Sequence, residues 1–421
     1  LQCHNPWARH TLAFNTLQLN REHDFGGARR NQLEALRELG IFVPATEAAE
    51  QRRLRPDWFT AQQALVDPHD RSAPLAARAR SYLHANCAHC HRFGGGGTAK
   101  IELGFEQGLE DKVIDLPPTQ GAFGNAGAAI VKPGDPFRSL LYYRMAKTGS
   151  GHMPHLGAEM VDERGLALVH DWIQSLSAKP GDNPSLAALR SLDKDADIVN
   201  DRAARQAKAI NGLLSSASAA LELSHAVGEK PFSAELREQI VATGAKHSDA
   251  AVRDLFERFL PDEHRAGRLG HRFRPQEVLS LIGDAGRGKD LFFGTATLQC
   301  KTCHRVKNEG GRVGPDLTAI GKKLSRVQLL ESLAEPSKTI AQEYRTQLVQ
   351  TSDGRTYTGV VVAKTEKEIV LRDAQDQETR LMLDEIDQSI AQPQSMMPEG
   401  LLRDLAPQQA ADLLEYLSSL R

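Results

Sequence analysis

The chain has 421 residues, with 52 Lys and Arg against 54 Asp and Glu and a formal net charge of −2. That balance offers no surface biased toward polyanions, so nucleic acid is not an expected partner. No apolar run reaches bilayer-spanning length, so no membrane span is expected. The length allows two or three domains with their own cores.

Five cysteines do not suggest a disulfide framework, because four of them fall into two pentapeptides of one pattern. These are Cys87-Ala88-His89-Cys90-His91 and Cys300-Lys301-Thr302-Cys303-His304. Cys-x-x-Cys-His is the attachment signature of a c-type haem. Two spacer residues let one backbone turn present both sulfurs to one porphyrin edge, where each forms a thioether with a vinyl group. His91 or His304 then faces the iron as the proximal ligand. The competing reading is a zinc site of Cys87, Cys90, Cys300 and Cys303. It leaves both histidines without a role and requires two distant segments to meet.

Taken in order, the chain opens on Leu1-Gln2-Cys3-His4, which matches the tail of the same pattern. The expectation is a third haem held by Cys3 with His4 as proximal ligand, on a piece of a longer exported protein. The alternative is a lone buried cysteine beside a surface histidine. Residues 1–144 contain no methionine, so His10, His23, His69 and His84 are the local candidates for a sixth ligand. Residues 1–74 form an N-terminal segment: a short helix over Asn31–Leu39, then a proline-punctuated wrap from Arg52 to Pro74.

A first cytochrome c domain is expected over 75–178. The pattern predicts a helix over Pro74–Ala85 that delivers Cys87. Phe93-Gly94-Gly95-Gly96-Gly97 reads as a bend near the haem edge, since no Gly-Lys-Ser/Thr follows to make a phosphate loop. Residues 101–136 read as irregular, and a helix follows over Ser139–Met145. Met153-Pro154 lies 62 residues after His91 and suits a sixth-ligand loop, because proline restrains the backbone beside the sulfur. Met145, Met160, His152 and His155 are rival ligands. Asp162–Leu176 reads as the closing helix, with Tyr82 and Trp172 expected in contact.

Lys179–Pro184 reads as a linker. Residues 185–277 read as a helical spacer with no recognisable chemistry. A second cytochrome c domain is expected over 278–421, with a helix from Gly286 leading toward Cys300. Phe292 or Phe293 should pack on the closing helix Gln408–Leu420. Gly314-Pro315 is placed to offer a carbonyl to the free ring N–H of His304, orienting the imidazole. The alternative is an ordinary turn.

Residues 344–390 switch to period two, with a hairpin signal at Asp353-Gly354, and read as a barrel-like insert of four or five strands. Met396-Met397-Pro398 follows. Met397 is favoured over Met396 as sixth ligand because it repeats the Met-Pro context of Met153. The fold class expected from all this is mainly α: two class-I-like cytochrome c domains joined by a helical spacer, the second carrying a small β-barrel-like insert.

With these residues in view, 278–421 resembles the planctomycete-type CxxCH haem-binding domain. The match is carried by Cys300–His304, Gly314-Pro-Asp-Leu-Thr318, Ile320-Gly321, Glu335-Pro-Ser-Lys338 and Met397-Pro-Glu-Gly-Leu401. Residues 1–177 resemble the dihaem c-type cytochrome region that often precedes it, through Gln18-Leu-Asn20, Asn31-Gln-Leu33, Asn86–His91, Pro133-Gly-Asp-Pro136 and Met153-Pro154. The resemblance implies an exported, periplasmic-type multihaem carrier, often fused behind a propeller-like dehydrogenase. It also favours a true haem motif at Cys3-His4, although the missing first cysteine departs from the pattern.

The expected function is electron transfer from a fused or partner dehydrogenase to another redox carrier, using two covalent c-type haems and a third if Cys3 and His4 hold one. The alternative is a dihaem peroxidase. It would need an open iron and an acid/base pair, and no such pair is visible in the sequence.

Overall fold

The structure is a computed structural model. It describes residues 15–421 apart from 42–63, 93–98, 100, 107, 110–111, 119–120, 156–159, 178–182, 195–200, 230, 266, 271–272, 295–297, 299, 353–355 and 375. Cys3, His4, the glycine run after Phe93 and the Asp353-Gly354 turn therefore lie outside the described residues. The chain divides into two compact units. The first comprises Leu1–Thr119, Ala126–Ala146 and Leu156–Asp182; the second comprises Gln120–Asn125, Lys147–His155 and Asn183–Arg421.

In the first unit, Asn15 caps helix α1 (Thr16–Leu19) by accepting from Gln18 N–H. Strands β1 (Glu22–Asp24) and β2 (Arg29–Asn31) form a small hairpin, and Asn31 caps helix α2 (Gln32–Glu38). Helix α3 (Leu75–Asn86) follows and ends on Cys87. After helix α4 (Leu140–Ala146), helix α5 (Glu163–Ser175) starts on Asp162, whose carboxylate accepts from the Arg164 and Gly165 N–H groups. Gly165 is required here, because a Cβ would lie 2.2 Å from the Tyr82 ring of α3. The Tyr82 hydroxyl donates to Asp162 at 2.9 Å, so the expected α3–α5 crossing is made at the start of α5. Trp172 is buried further along that helix.

The second unit begins, in chain order, with segments 120–125 and 147–155. Helices α6 (Pro184–Lys194), α7 (Arg202–Leu213), α8 (Ala217–Glu229), α9 (Ala234–Ala245) and α10 (Ala250–Arg253) follow. A buried charge cluster ties segment 147–155 to this helical region. Lys147 and Asp254 are almost wholly buried and sit 3.1 Å apart. Lys147 Nζ also donates to the Thr148 and Ser150 carbonyls. Thr148 Oγ1 donates to Glu257 Oε2 at 2.9 Å, and Arg268 donates to the same oxygen.

The C-terminal half of this unit is built on a tight helix crossing. Helix α11 (Gln276–Leu279) leads to α12 (Ala285–Gly294), α13 (Cys300–Cys303), a two-residue hairpin β3 (Arg305–Val306) with β4 (Glu309–Gly310), α14 (Ile320–Lys323) and α15 (Arg326–Ala334). The chain closes with α16 (Pro407–Ser419). A Cβ on Gly288 of α12 would meet the Asp412 carbonyl at 2.0 Å, so the two backbones touch. Phe292 lies 5.6 Å from Tyr416, ring centre to ring centre, and Phe293 lies 6.4 Å from it, as the apolar pattern predicts. At the same crossing Asp412 is buried and accepts from Arg287, Gln408 and the Asp284 N–H.

The expected fold class does not hold. The chain is not mainly α with two class-I-like cytochrome c domains. It is a mixture of about 45% helix and 13% strand, and it includes a five-stranded antiparallel sheet. The strands are β5 (Thr346–Thr351), β6 (Thr356–Lys364), β7 (Glu368–Arg372), β8 (Glu378–Met382) and β9 (Ile386–Ala391), in the order β8-β7-β6-β5-β9. Nor is the insert barrel-like among the described residues, because β8 and β9 stand at opposite edges. Alternation commits these residues to strands with one packed face, Val349, Ile369, Leu371 and Leu381. It does not decide whether the edges meet.

Candidate haem-attachment sites

At the first motif, α3 ends and the chain tightens. Cys87 N–H donates to Leu83 O, then Cys90 N–H and His91 N–H both return to Cys87 O at 3.1 and 2.9 Å. One turn thus carries both sulfurs and the histidine. Burial pushes the Cys87 thiol up to about 12. His91 O accepts from Leu103 N–H at 2.9 Å.

The neighbouring histidines have structural surroundings. His84 Nδ1 accepts from Phe105 N–H at 3.1 Å, and Nε2 lies 3.3 Å from the Asn15 amide. Burial lowers its pKa. His89 is also lowered, by burial first and then by Arg92. His23 packs edge-on to Phe25 at an exposed hairpin, and His10 lies outside the described residues.

At the second motif the local geometry is fuller. His304 N–H donates to Cys300 O at 2.9 Å, closing the turn of α13. The following loop then folds back over that turn. Gly311 N–H donates to Lys301 O and Gly314 N–H donates to Cys303 O, each at 2.8 Å. A Cβ at Gly311 would strike Thr302 O, and one at Gly314 would lie 2.6 Å from the His304 ring. Next to it, His304 Nδ1 lies 2.9 Å from the Pro315 carbonyl, in hydrogen-bond geometry. With Nδ1 as the donor, Nε2 keeps its lone pair for a metal.

Burial lowers the pKa of His304, against the smaller opposing effect of the Pro315 bond, and so favours the neutral imidazole. Burial also raises both thiols of the motif, Cys300 to about 12. Cys300, Leu317, Ile320 and Met397 all pack against the core formed by Phe292, Leu330, Leu333, Leu413 and Tyr416. Of the two adjacent methionines, Met397 is the one packed on this core. Gly321 of the Ile-Gly pair lies against the C-terminal helix, where a Cβ would meet Ser418 O at 2.2 Å.

Met153 and its rivals His152 and His155 belong to the second unit, whereas Cys87, Cys90 and His91 belong to the first. The segment bearing Met153 ends on His155, whose carbonyl accepts from Arg403 at 2.7 Å. Met160 is exposed and Met145 is buried in α4. The sequence assigned no role to Asp412, Ser337 or Ser395. A lone acid inside the apolar run Ala410–Leu414 was the available signal for the first. The serines carry none outside their motif context.

Among the described residues no three His, Cys, Asp or Glu side chains converge as a metal-ligand group. The donor set instead suits a haem: two sulfurs and an oriented neutral imidazole on one turn, with a glycine cradle behind the ring. No family model matches the chain, and no curated protein matches it. No helix among the described residues is long and apolar enough to cross a membrane.

Proposed function

We propose that the chain is an exported c-type cytochrome that passes electrons from a fused or partner dehydrogenase to another redox carrier. Cys87 and Cys90 with His91 hold one haem, and Cys300 and Cys303 with His304 hold another. A third is held at Cys3 and His4 if the first cysteine of that motif precedes Leu1. The observation that carries the reading is the His304 environment: a half-buried imidazole oriented by Pro315, one residue after a cysteine pair of haem-attachment spacing. The resemblance to planctomycete-type multihaem cytochromes adds to it.

When bound, haem iron supplies a one-electron couple, and its protein surroundings set the potential. The residues divide that work. The cysteines fix the porphyrin covalently, so no free energy of dissociation limits its retention. His304 donates through Nε2 while Pro315 holds the ring and strengthens its donation. Met397, packed on the same core as Cys300, would supply a thioether ligand, a donor that raises the potential of haem iron. The core around Phe292 and Leu330, on which Cys300 and Met397 pack, would keep water from a haem bound there.

The test is a pyridine haemochrome count on the chain matured in an exporting host. Two covalent haems are expected from these residues, and three if Cys3 belongs to a complete motif. Cys87→Ser with Cys90→Ser, and Cys300→Ser with Cys303→Ser, should each remove one. A chain that takes up zinc and no covalent haem overturns the proposal.

A further inference from the structure

The β-sheet insert creates a positioning problem. A methionine side chain has three rotatable bonds. Its sulfur keeps a defined place only if the backbone beneath it is held. Pro398 restricts the chain on the C-terminal side of Met397. On the N-terminal side the chain has just returned from five strands of sheet, so its register there must be set by specific bonds.

Those bonds are present. At the neck of the insert, Gln392 N–H donates to Thr346 O at 2.8 Å, and the buried Thr346 hydroxyl donates to Gln394 O at 3.0 Å. Beyond the neck, Ser395 N–H donates to Ser337 Oγ at 3.2 Å. Met397 N–H then donates to Ser395 Oγ at 3.1 Å. Ser337 follows the buried Pro336 at the end of α15, whose Leu329, Leu330 and Leu333 belong to the core on which Met397 packs.

We propose that Ser337 and Ser395 are positioning residues for Met397: two hydroxyls in relay transmit the position of the α15 core helix to the backbone of the sixth ligand. The inference rests on the reading that Met397 binds iron. It goes beyond that reading by assigning the control of the ligand to the Ser-Ser relay rather than to the sheet.

The experiment uses the full haem-loaded chain, titrated for midpoint potentials and examined in the ferric state for the thioether-to-iron charge-transfer band. Met397→Ala identifies the redox wave and band of the second haem. Ser395→Ala and Ser337→Ala should keep the haem count but shift that wave to lower potential and weaken the band. Each lost hydrogen bond shifts the bound-to-free equilibrium of the thioether by about fivefold. Ser395→Thr and Ser337→Thr, which keep the hydroxyl, should restore both signals. Ser332→Ala, which removes an exposed hydroxyl bonded within α15, should change neither.

Wild-type potential and band in both alanine variants, with Met397→Ala displaced, overturn the relay. A Met397→Ala variant identical to wild type instead overturns the ligand reading, and the relay with it. If Ser395→Ala fails to load haem, Ser337→Ala decides, because it leaves the Ser395–Met397 bond intact. It should then show a smaller shift of the same sign, and no shift overturns the proposal.

Discussion

Gly314 stands where the second site tolerates no side chain. A methyl group there would lie 2.6 Å from His304 Cε1 and 2.8 Å from Nδ1. The ring cannot retreat without breaking its bond to the Pro315 carbonyl. Gly314→Ala is therefore expected to cost about 1–3 kcal/mol by overpacking and, on the proposed function, to lower covalent haem at Cys300 and Cys303. Thermal unfolding and haem content measured together check this. Gly294→Ala is the control, since a Cβ there meets nothing within 4 Å; an equal loss in both variants would refute the steric account. Much of this site was legible at residue level, because Cys-x-x-Cys-His and Gly-Pro are local patterns with local chemistry. Ser337 and Ser395 were not, because a serine's role depends on a partner 58 residues away that no spacing rule supplies.

Helices α12 and α16 show what an element can hide. Their aromatic contact was predictable from apolar periodicity, and Phe292 and Tyr416 meet as expected. The crossing also buries Asp412, which the same periodicity would assign to a solvated face. Burial works against its charge, but bonds from Arg287, Gln408 and the Asp284 N–H outweigh it and hold the carboxyl below its ordinary range. The sign follows directly. A carboxylate lowered by folding stabilises the protein above its unfolded pKa, about 3.9, and that contribution is lost as pH falls through the folded value. Asp412→Asn should therefore lower the urea midpoint at pH 7, by about 1–3 kcal/mol in stability. It should converge with wild type near the acid end. A constant difference at all pH values would show that packing, not charge, is responsible. The sheet gives the opposite lesson. Its strands were legible from alternation, but its open edges were not, because edge pairing is set by register between distant strands.

At the scale of the whole molecule, the least legible feature is the grouping of Lys147–His155 with the helical region after Asn183. Sequence adjacency assigns that segment to the region of the first Cys-x-x-Cys-His motif. The structure joins it to residues more than a hundred positions away, through Lys147, Asp254, Thr148 and Glu257. A helical segment that shows no chemistry in sequence thus supplies the socket for the loop that carries Met153. Buried ion pairs are costly to break, because the surviving partner stays desolvated. Lys147→Met takes one of the cations away from buried Asp254 and removes the donor from the Thr148 and Ser150 carbonyls, and is expected to cost about 3 kcal/mol. Arg253 and Arg268 also approach Asp254, at 3.1 and 3.7 Å, and keep the loss from being larger. Asp254→Asn should destabilise through the same contact. The double variant should therefore be less damaged than the sum of the two, by about 1–3 kcal/mol. Urea unfolding of the four proteins in a double-mutant cycle measures that coupling. Additivity to within about 0.5 kcal/mol would mean that Lys147 and Asp254 act separately, and that the loop is held by its backbone bond from Thr148 N–H to Asp254 O instead.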